Sequence, residues 1–128
     1  MRTAGIICEY NPFHRGHAWH LAQTKRLLGE NTAIVCVMSG HWTQQADCAI
    51  ADKWTRARLA LMGGADLVLE LPTPWAAASA ETFARGGVAA GVDDQDFHVY
   101  DLSFKFVAYG LYTQSSRSKI GKHIQTIF

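Results

Sequence analysis

At 128 residues the chain has the length of one domain and can bury a proper core. Its 48% hydrophobic and 18% charged residues describe an ordinary globule, and no window holds the roughly 18 consecutive apolar residues of a membrane span. The net charge of +1 hides an asymmetry: residues 1–104 carry eight Lys and Arg against eleven Asp and Glu, whereas residues 105–128 hold Lys105, Arg117, Lys119 and Lys122 with no acid.

The N-terminal stretch MRTAGIICEYNPFH reaches Glu9 and Pro12 before any long apolar region, so no signal peptide is read there. Within it TAGIICEY is a nearly continuous apolar run with β-branched residues, the pattern of a strand buried on both faces. HAWHLAQTKRLLGEN then changes period. Ala18, Leu21, Ala22, Leu27 and Leu28 fall on one helical side, and Gly29 and Asn31 supply the stop. TAIVCVM is a second buried strand, closed by Ser39 and Gly40, and HWTQQADCA is a polar loop.

IADKWTRARLALMGGA is predicted helical, with Ile50, Trp54, Ala57 and Leu61 as its apolar stripe and Asp52 at its first turn. DLVLELP is a third strand, ended by Pro72, and SAETFARGGVAA a third helix whose end Gly86 and Gly87 weaken. A further strand is predicted from Phe97 to Phe104. Beyond it the basic end shows no clean period and reads as a solvated, poorly ordered tail.

Strands alternating with single helices predict an α/β fold with a Rossmann-like parallel sheet, and ligands in such sheets bind beyond the carboxyl ends of the strands. The segment EYNPFHRGHAWH begins at such an end and holds three histidines in seven positions. A metal site is the first reading to weigh. Gly16 separates the first histidine pair, and no second cluster of Cys or Asp stands at ligand spacing, so no metal ligands are expected. A surface-loop reading accounts for a lone histidine, but not for His-x-Gly-His at a strand-to-helix turn. A phosphate site explains more. Amides at a helix N-terminus attract anions, Gly16 has no Cβ to hold a nucleotide off, and His14 and His17 can donate ring N–H bonds to phosphate oxygens. Donors fixed in place would stabilise the charge that grows as pyrophosphate leaves.

Cys8, Cys36 and Cys48 are odd in number and contain no CxxC pair, and Cys8 and Cys36 sit in apolar runs, so reduced thiols and a cytoplasmic setting are expected.

HRGH fits the signature of the HIGH-motif nucleotidyltransferases. The longer strings GIICEYNPFHRGHAWHL, VMSGHWTQ, DKWTRARLALMGGADLVLELP and SAETFARGGV resemble, in order, the N-terminal domain of the bacterial tRNA(Met) cytidine acetate ligase family, over roughly residues 3 to 89. The resemblance implies ATP, with Mg2+ as its counter-ion, as the activating nucleotide. It implies acetate as the acid converted to acetyl-adenylate, and the wobble cytidine of elongator tRNA-Met as acceptor, giving N4-acetylcytidine. The implied ATP-binding segment runs through Ile7, Cys8, Glu9, Tyr10, Asn11, Pro12, Phe13, His14, Arg15, Gly16, His17, Ala18, Trp19 and His20, with Ser39 and Gly40 in the cleft. His14 and His17 would act on the phosphates, and Asn11 would orient the loop.

Lys53 and Arg56 match the family's KWxRA stretch and read either as phosphate or tRNA contacts or as a solvated helix face, while Trp54 reads as core. Two departures stand out: QQADCA at Gln44 to Ala49 replaces the family's QRGEPA, and Lys105 stands where the family has glycine. The resulting expectation is a nucleotidyltransferase-like unit over residues 1–104, then a divergent tail from a truncated or frameshifted coding sequence. Weak ATP affinity and no complete turnover are expected of such a chain.

Overall fold

The computed structural model describes residues 2–91 and 97–101. Its elements run β1 (Thr3–Cys8), α1 (Arg15–Leu28), β2 (Ala33–Ser39), α2 (Lys53–Met62), β3 (Leu67–Leu71), α3 (Thr73–Ala76), α4 (Ala80–Gly91) and β4 (Phe97–Asp101). The four strands form one parallel sheet in the order β3-β2-β1-β4, with Ile6 beside Cys36 and Tyr100. The predicted α/β fold with a Rossmann-like parallel sheet is what forms. After β3 the chain crosses to the other side of β1, so strand order reverses at β1, the place where such sheets take ligands. No helix of the described residues is long and apolar enough to cross a membrane.

Alternation along the strands builds two cores. Ala4, Ile6, Cys8, Ile34, Cys36 and Met38 face Leu21 of α1 and Ala60 of α2. Ile7, Val37 and Leu71 face Ala76 of α3 and Phe83 of α4. Each such Ile, Leu or Phe contributes about 1.5–3 kcal/mol by leaving water. β3 is one edge of the described sheet, and only Leu71 of its five residues is fully buried, so it is less covered than its apolar sequence predicts.

Three helix readings need correction. In α1 the buried stripe is His20, Leu21 and Thr24, with Leu28 partly covered, while Ala22 and Leu27 face outward. Thr24 is tolerated inside because its hydroxyl donates to the His20 carbonyl at 3.0 Å. In α2, Asp52 caps the helix by accepting from the Thr55 amide at 2.9 Å and hydroxyl at 2.7 Å, which leaves Ile50 outside the helix. The residues turned inward are Arg56 and Ala60, while Ile50 and Trp54 are 77% and 73% exposed and Leu61 is half exposed. In α4, Gly86 and Gly87 do not mark a weak end. A Cβ on Gly87 would stand 2.6 Å from the side chain of Ile7, so its absence lets the helix lie close on β1. The short α3 lies between the predicted third strand and third helix, in a stretch to which the sequence assigns no element. The predicted strand reaches Asp101, and residues 102–104 and the basic tail lie outside the described residues.

Candidate nucleotide site at the end of β1

The chain leaves β1 through Glu9 and turns at Tyr10, whose φ of +46° places a bulky residue in left-handed backbone. Such a conformation costs of order 1–3 kcal/mol and needs support. Tyr10 is buried, its hydroxyl lies 3.5 Å from Cys36 Sγ, and its ring meets Phe13 edge-on at 4.9 Å and His17 at 4.7 Å. Burial, foremost, drives its phenol pKa upward and keeps it neutral. A cis Asn11–Pro12 bond follows, and the Phe13 ring occupies space that Gly63 leaves open. Beside this turn is a cavity of about 270 Å³ lined by Ile6, Ile7, Cys8, Glu9, Tyr10, Asn11, Pro12, His14 and His17.

The two histidines cap each other's backbone. His14 is the extended N-cap of α1, its Nδ1 accepts the Gly16 amide at 3.1 Å, and its own amide donates to His17 Nδ1 at 3.2 Å. An amide can only donate, so both Nδ1 atoms are lone-pair acceptors, and in the neutral rings both protons sit on Nε2. The rings stack at 3.7 Å. His17 is pushed down to about 4, by burial first and then by His14 and His20, which keeps it neutral near pH 7. A Cβ on Gly16 would stand 2.9 Å from His14 Cε1, so the room this glycine leaves is filled by the His14 ring. The amides of Gly16, His17 and Ala18 are all engaged by His14, which leaves the imidazole Nε2–H groups and the Arg15 amide as the donors at this helix end able to meet an anion.

The neighbouring residues hold the β2–α2 loop to this turn. Glu9 Oε1 accepts the Gln44 amide at 2.6 Å, and Asn11 Oδ1 accepts the Ile50 amide at 2.7 Å. Arg56 is neither of the things read from the sequence. It is fully buried, and its guanidinium donates to the carbonyls of Glu9, Ser39, Gly40 and Ala51. Lys53 pairs with Glu70 at 2.6 Å and lies over the ring of Trp54 at 5.2 Å, and the exposed Trp54 is not core.

Of the sequence-predicted site residues, Ile7 through Pro12, His14 and His17 line the cavity, and Phe13 backs it. Arg15 and Trp19 point to solvent, and Ala18 lies partly covered on α1. His20 is buried with no partner for Nδ1, and burial holds its pKa below the usual histidine range. Ser39 is buried with no partner for its hydroxyl, and Gly40 leaves space that the Glu70 carboxylate fills, so neither is part of the cavity wall. Sequence reasoning missed the clasp of Glu9 on Gln44 and the Arg56 strut. The signal available for Arg56 was its helical spacing of four from the Asp52 cap, which puts it on the same side as Ala60. Among the described residues no group of three or more His, Cys, Asp or Glu is placed to hold a metal ion.

Residues 1–105 match the family described as HIGH Nucleotidyl Transferase. The chain is 54% identical over 89 residues to the tRNA(Met) cytidine acetate ligase of Clostridium tetani, covering 70% of this chain and 22% of that protein. It is 43% identical over 109 residues to that of Lysinibacillus sphaericus, covering 82% and 27%. A crystal structure of Thermotoga maritima TmcAL bound with alpha-thio ATP superposes with a TM-score of 0.69 at 39% identity, covering 78% of this chain and 24% of that one. The apo form gives 0.70 at 38% identity, covering 91% and 29%. The chain thus spans between about a fifth and a third of the length of these relatives.

Proposed function

The chain belongs to the HIGH nucleotidyltransferase family, and from that membership we propose that it binds ATP in the β1 cavity as the activating unit of a tRNA(Met) cytidine acetate ligase. The observation that carries the reading is the reciprocal His14–His17 cap, which aims two Nε2–H donors from the carboxyl end of the central strand. The nucleotide-binding unit is residues 1–104. Residues Ile7 to His20 form the ATP segment, although Arg15, Trp19 and His20 serve the helix rather than the cavity wall. Ser39 and Gly40 act from behind, through their carbonyls on Arg56.

In the proposed reaction an acetate oxygen attacks the α-phosphorus of ATP, the bond to the β-phosphate oxygen breaks, and pyrophosphate leaves. His14 and His17 donate to the phosphate oxygens on which charge grows, and donors held by the backbone need no reorganisation as it does so. The exocyclic amine of the wobble cytidine of elongator tRNA-Met then attacks the acetyl carbonyl. AMP leaves and the amine loses a proton. Mg2+ would accompany ATP as its counter-ion. A tRNA substrate places the proposed setting in the cytoplasm.

The test is ATP binding by the full chain in equilibrium dialysis, followed by acetate-dependent exchange of labelled pyrophosphate into ATP. Binding with acetate-dependent exchange supports the reading, and exchange with another acid or acceptor in place of acetate redirects it to a different nucleotidyltransferase. A nucleotide- or tRNA-binding unit without turnover is the second reading. Binding without exchange supports that one, and absence of ATP binding refutes the ATP assignment.

A further inference from the structure

Arg56 is the one fully buried charged side chain among the described residues, and it has no carboxylate partner. Burying a cation is costly unless its charge and its protons are met. The carboxylates nearest to it are occupied elsewhere: Glu9 on the Gln44 amide, Asp52 on Thr55, and Glu70 on Lys53. Four main-chain carbonyls do the work instead. Nε donates to Ala51 at 3.0 Å, Nη1 to Glu9, and Nη2 to Ser39 at 3.1 Å and to Gly40. These carbonyls belong to the exit of β1, the exit of β2 and the loop before α2, so one side chain ties the three segments together just past the last ladder pair of β1 and β2, Cys8 with Met38.

The Glu9 contact matters most for the site. The Glu9 carbonyl and the Tyr10 amide share one peptide plane, so holding that carbonyl fixes one of the two planes whose relative rotation is the Tyr10 φ of +46°. Tyr10 in turn packs its ring on His17 at 4.7 Å. We propose that Arg56 is a positioning residue for the nucleotide site: its planar fork holds the Glu9–Tyr10 peptide in the strained conformation that presents the His14–His17 pair to the cavity. A guanidinium can serve these carbonyls together, whereas an ammonium of equal charge cannot span them. This inference rests on the ATP reading for its functional consequence, but its geometric part does not.

The experiment uses the full chain, uniformly labelled with nitrogen-15, as parent and as Arg56→Lys and Arg56→Ala. Long-range imidazole spectra read which ring nitrogens of His14 and His17 carry protons. Equilibrium dialysis reads ATP affinity, and circular dichroism reads the fold. The parent is expected to show unprotonated Nδ1 on both histidines and Arg56 guanidinium protons that exchange slowly with water. Arg56→Lys is expected to stay folded, to average the histidine tautomers and to bind ATP at least about tenfold more weakly, the loss of roughly one charge-assisted hydrogen bond. Millimolar guanidinium, unlike methylammonium, is expected to recover binding in Arg56→Ala. A purely structural Arg56 would lower the melting temperature without moving the histidine spectra or the affinity of the folded fraction, and that result overturns the proposal. Fast-exchanging Arg56 protons in the parent overturn it even if neither variant folds. A parent that fails to bind ATP sinks the nucleotide reading alone, because the histidine spectra still decide the positioning role.

Discussion

Replacing Gly16 by alanine separates stability from binding at a single methyl group. The new Cβ would stand 2.9 Å from His14 Cε1 and 3.1 Å from Nδ1, closer than a ring in place tolerates, so His14 must rotate away. Rotation breaks the 3.1 Å bond from the Gly16 amide and the 3.7 Å stack on His17. Loss of an N-cap bond costs about 0.5–2 kcal/mol, while alanine in place of glycine within a helix returns about 0.5–1 kcal/mol. The two nearly cancel, and the melting temperature followed by circular dichroism is expected to move by only a few degrees. Binding has no such compensation. A hydrogen bond to a charged group contributes about 1.5–3 kcal/mol, so turning His14 Nε2 away is expected to weaken ATP roughly 10- to 150-fold in equilibrium dialysis. Gly29→Ala is the control. Its φ of +110° disfavours a side chain although nothing lies within 4 Å, so it should lower stability by about 1–3 kcal/mol and leave the affinity of folded protein unchanged. Unaltered ATP affinity in Gly16→Ala would refute His14 as a phosphate donor held by this cap.

Two further expectations concern stability. Since His17 is shifted from the usual 6.5 to about 4, the unfolded chain takes up a proton that the folded chain refuses between those values. The His17 contribution to stability is therefore full above pH 6.5, falls as pH drops through the window, and is gone by about pH 4. The half-exposed ring limits the effect to about 1–2 kcal/mol. Thermal unfolding between these pH values checks it, and a His17→Gln variant with the same pH slope as the parent would assign the effect elsewhere. Gly87→Ala drives a methyl to 2.6 Å from Ile7, and overpacking of this kind costs about 1–3 kcal/mol. Combined with Ile7→Ala it should cost less than the sum of the two, read from denaturant midpoints. Strict additivity would mean that α4 does not press on Ile7.

The strand and helix order was legible because period and punctuation agree along this sequence. Continuous apolar runs such as GIIC and AIVCVM admit little besides buried parallel strands. Asp52 and Gly29 mark helix ends by their own chemistry. Orientation was less legible. In α2 the apolar letters Ile50, Trp54 and Leu61 share a helical side, yet the side turned inward is chosen by Arg56, whose guanidinium finds four carbonyls there. A hydrophobic pattern reports transfer from water, and it carries no information about carbonyls left unpaired at strand ends. In α1 the same limit hides Thr24, which is satisfied by its own helix. At the site, the His-x-Gly-His spacing pointed to a strand-to-helix turn, and the cavity lies there. That each imidazole caps the other's backbone was not legible, because histidine is not among the residues favoured at N-caps.

The outward turn of the aromatic residues has a consequence for optical work on the protein. Trp19, Trp42, Trp54 and Trp75 are each at least 40% exposed, and they are all the tryptophans in the chain. Their emission in the native protein already comes from indoles in contact with water, so unfolding should shift its wavelength little and acrylamide should quench it readily in both states. A flat fluorescence trace on heating would then be the signature of where the indoles sit rather than of a chain that never folded. The ultraviolet absorbance of the buried Tyr10 is better placed to report the loss of the turn that carries His14 and His17.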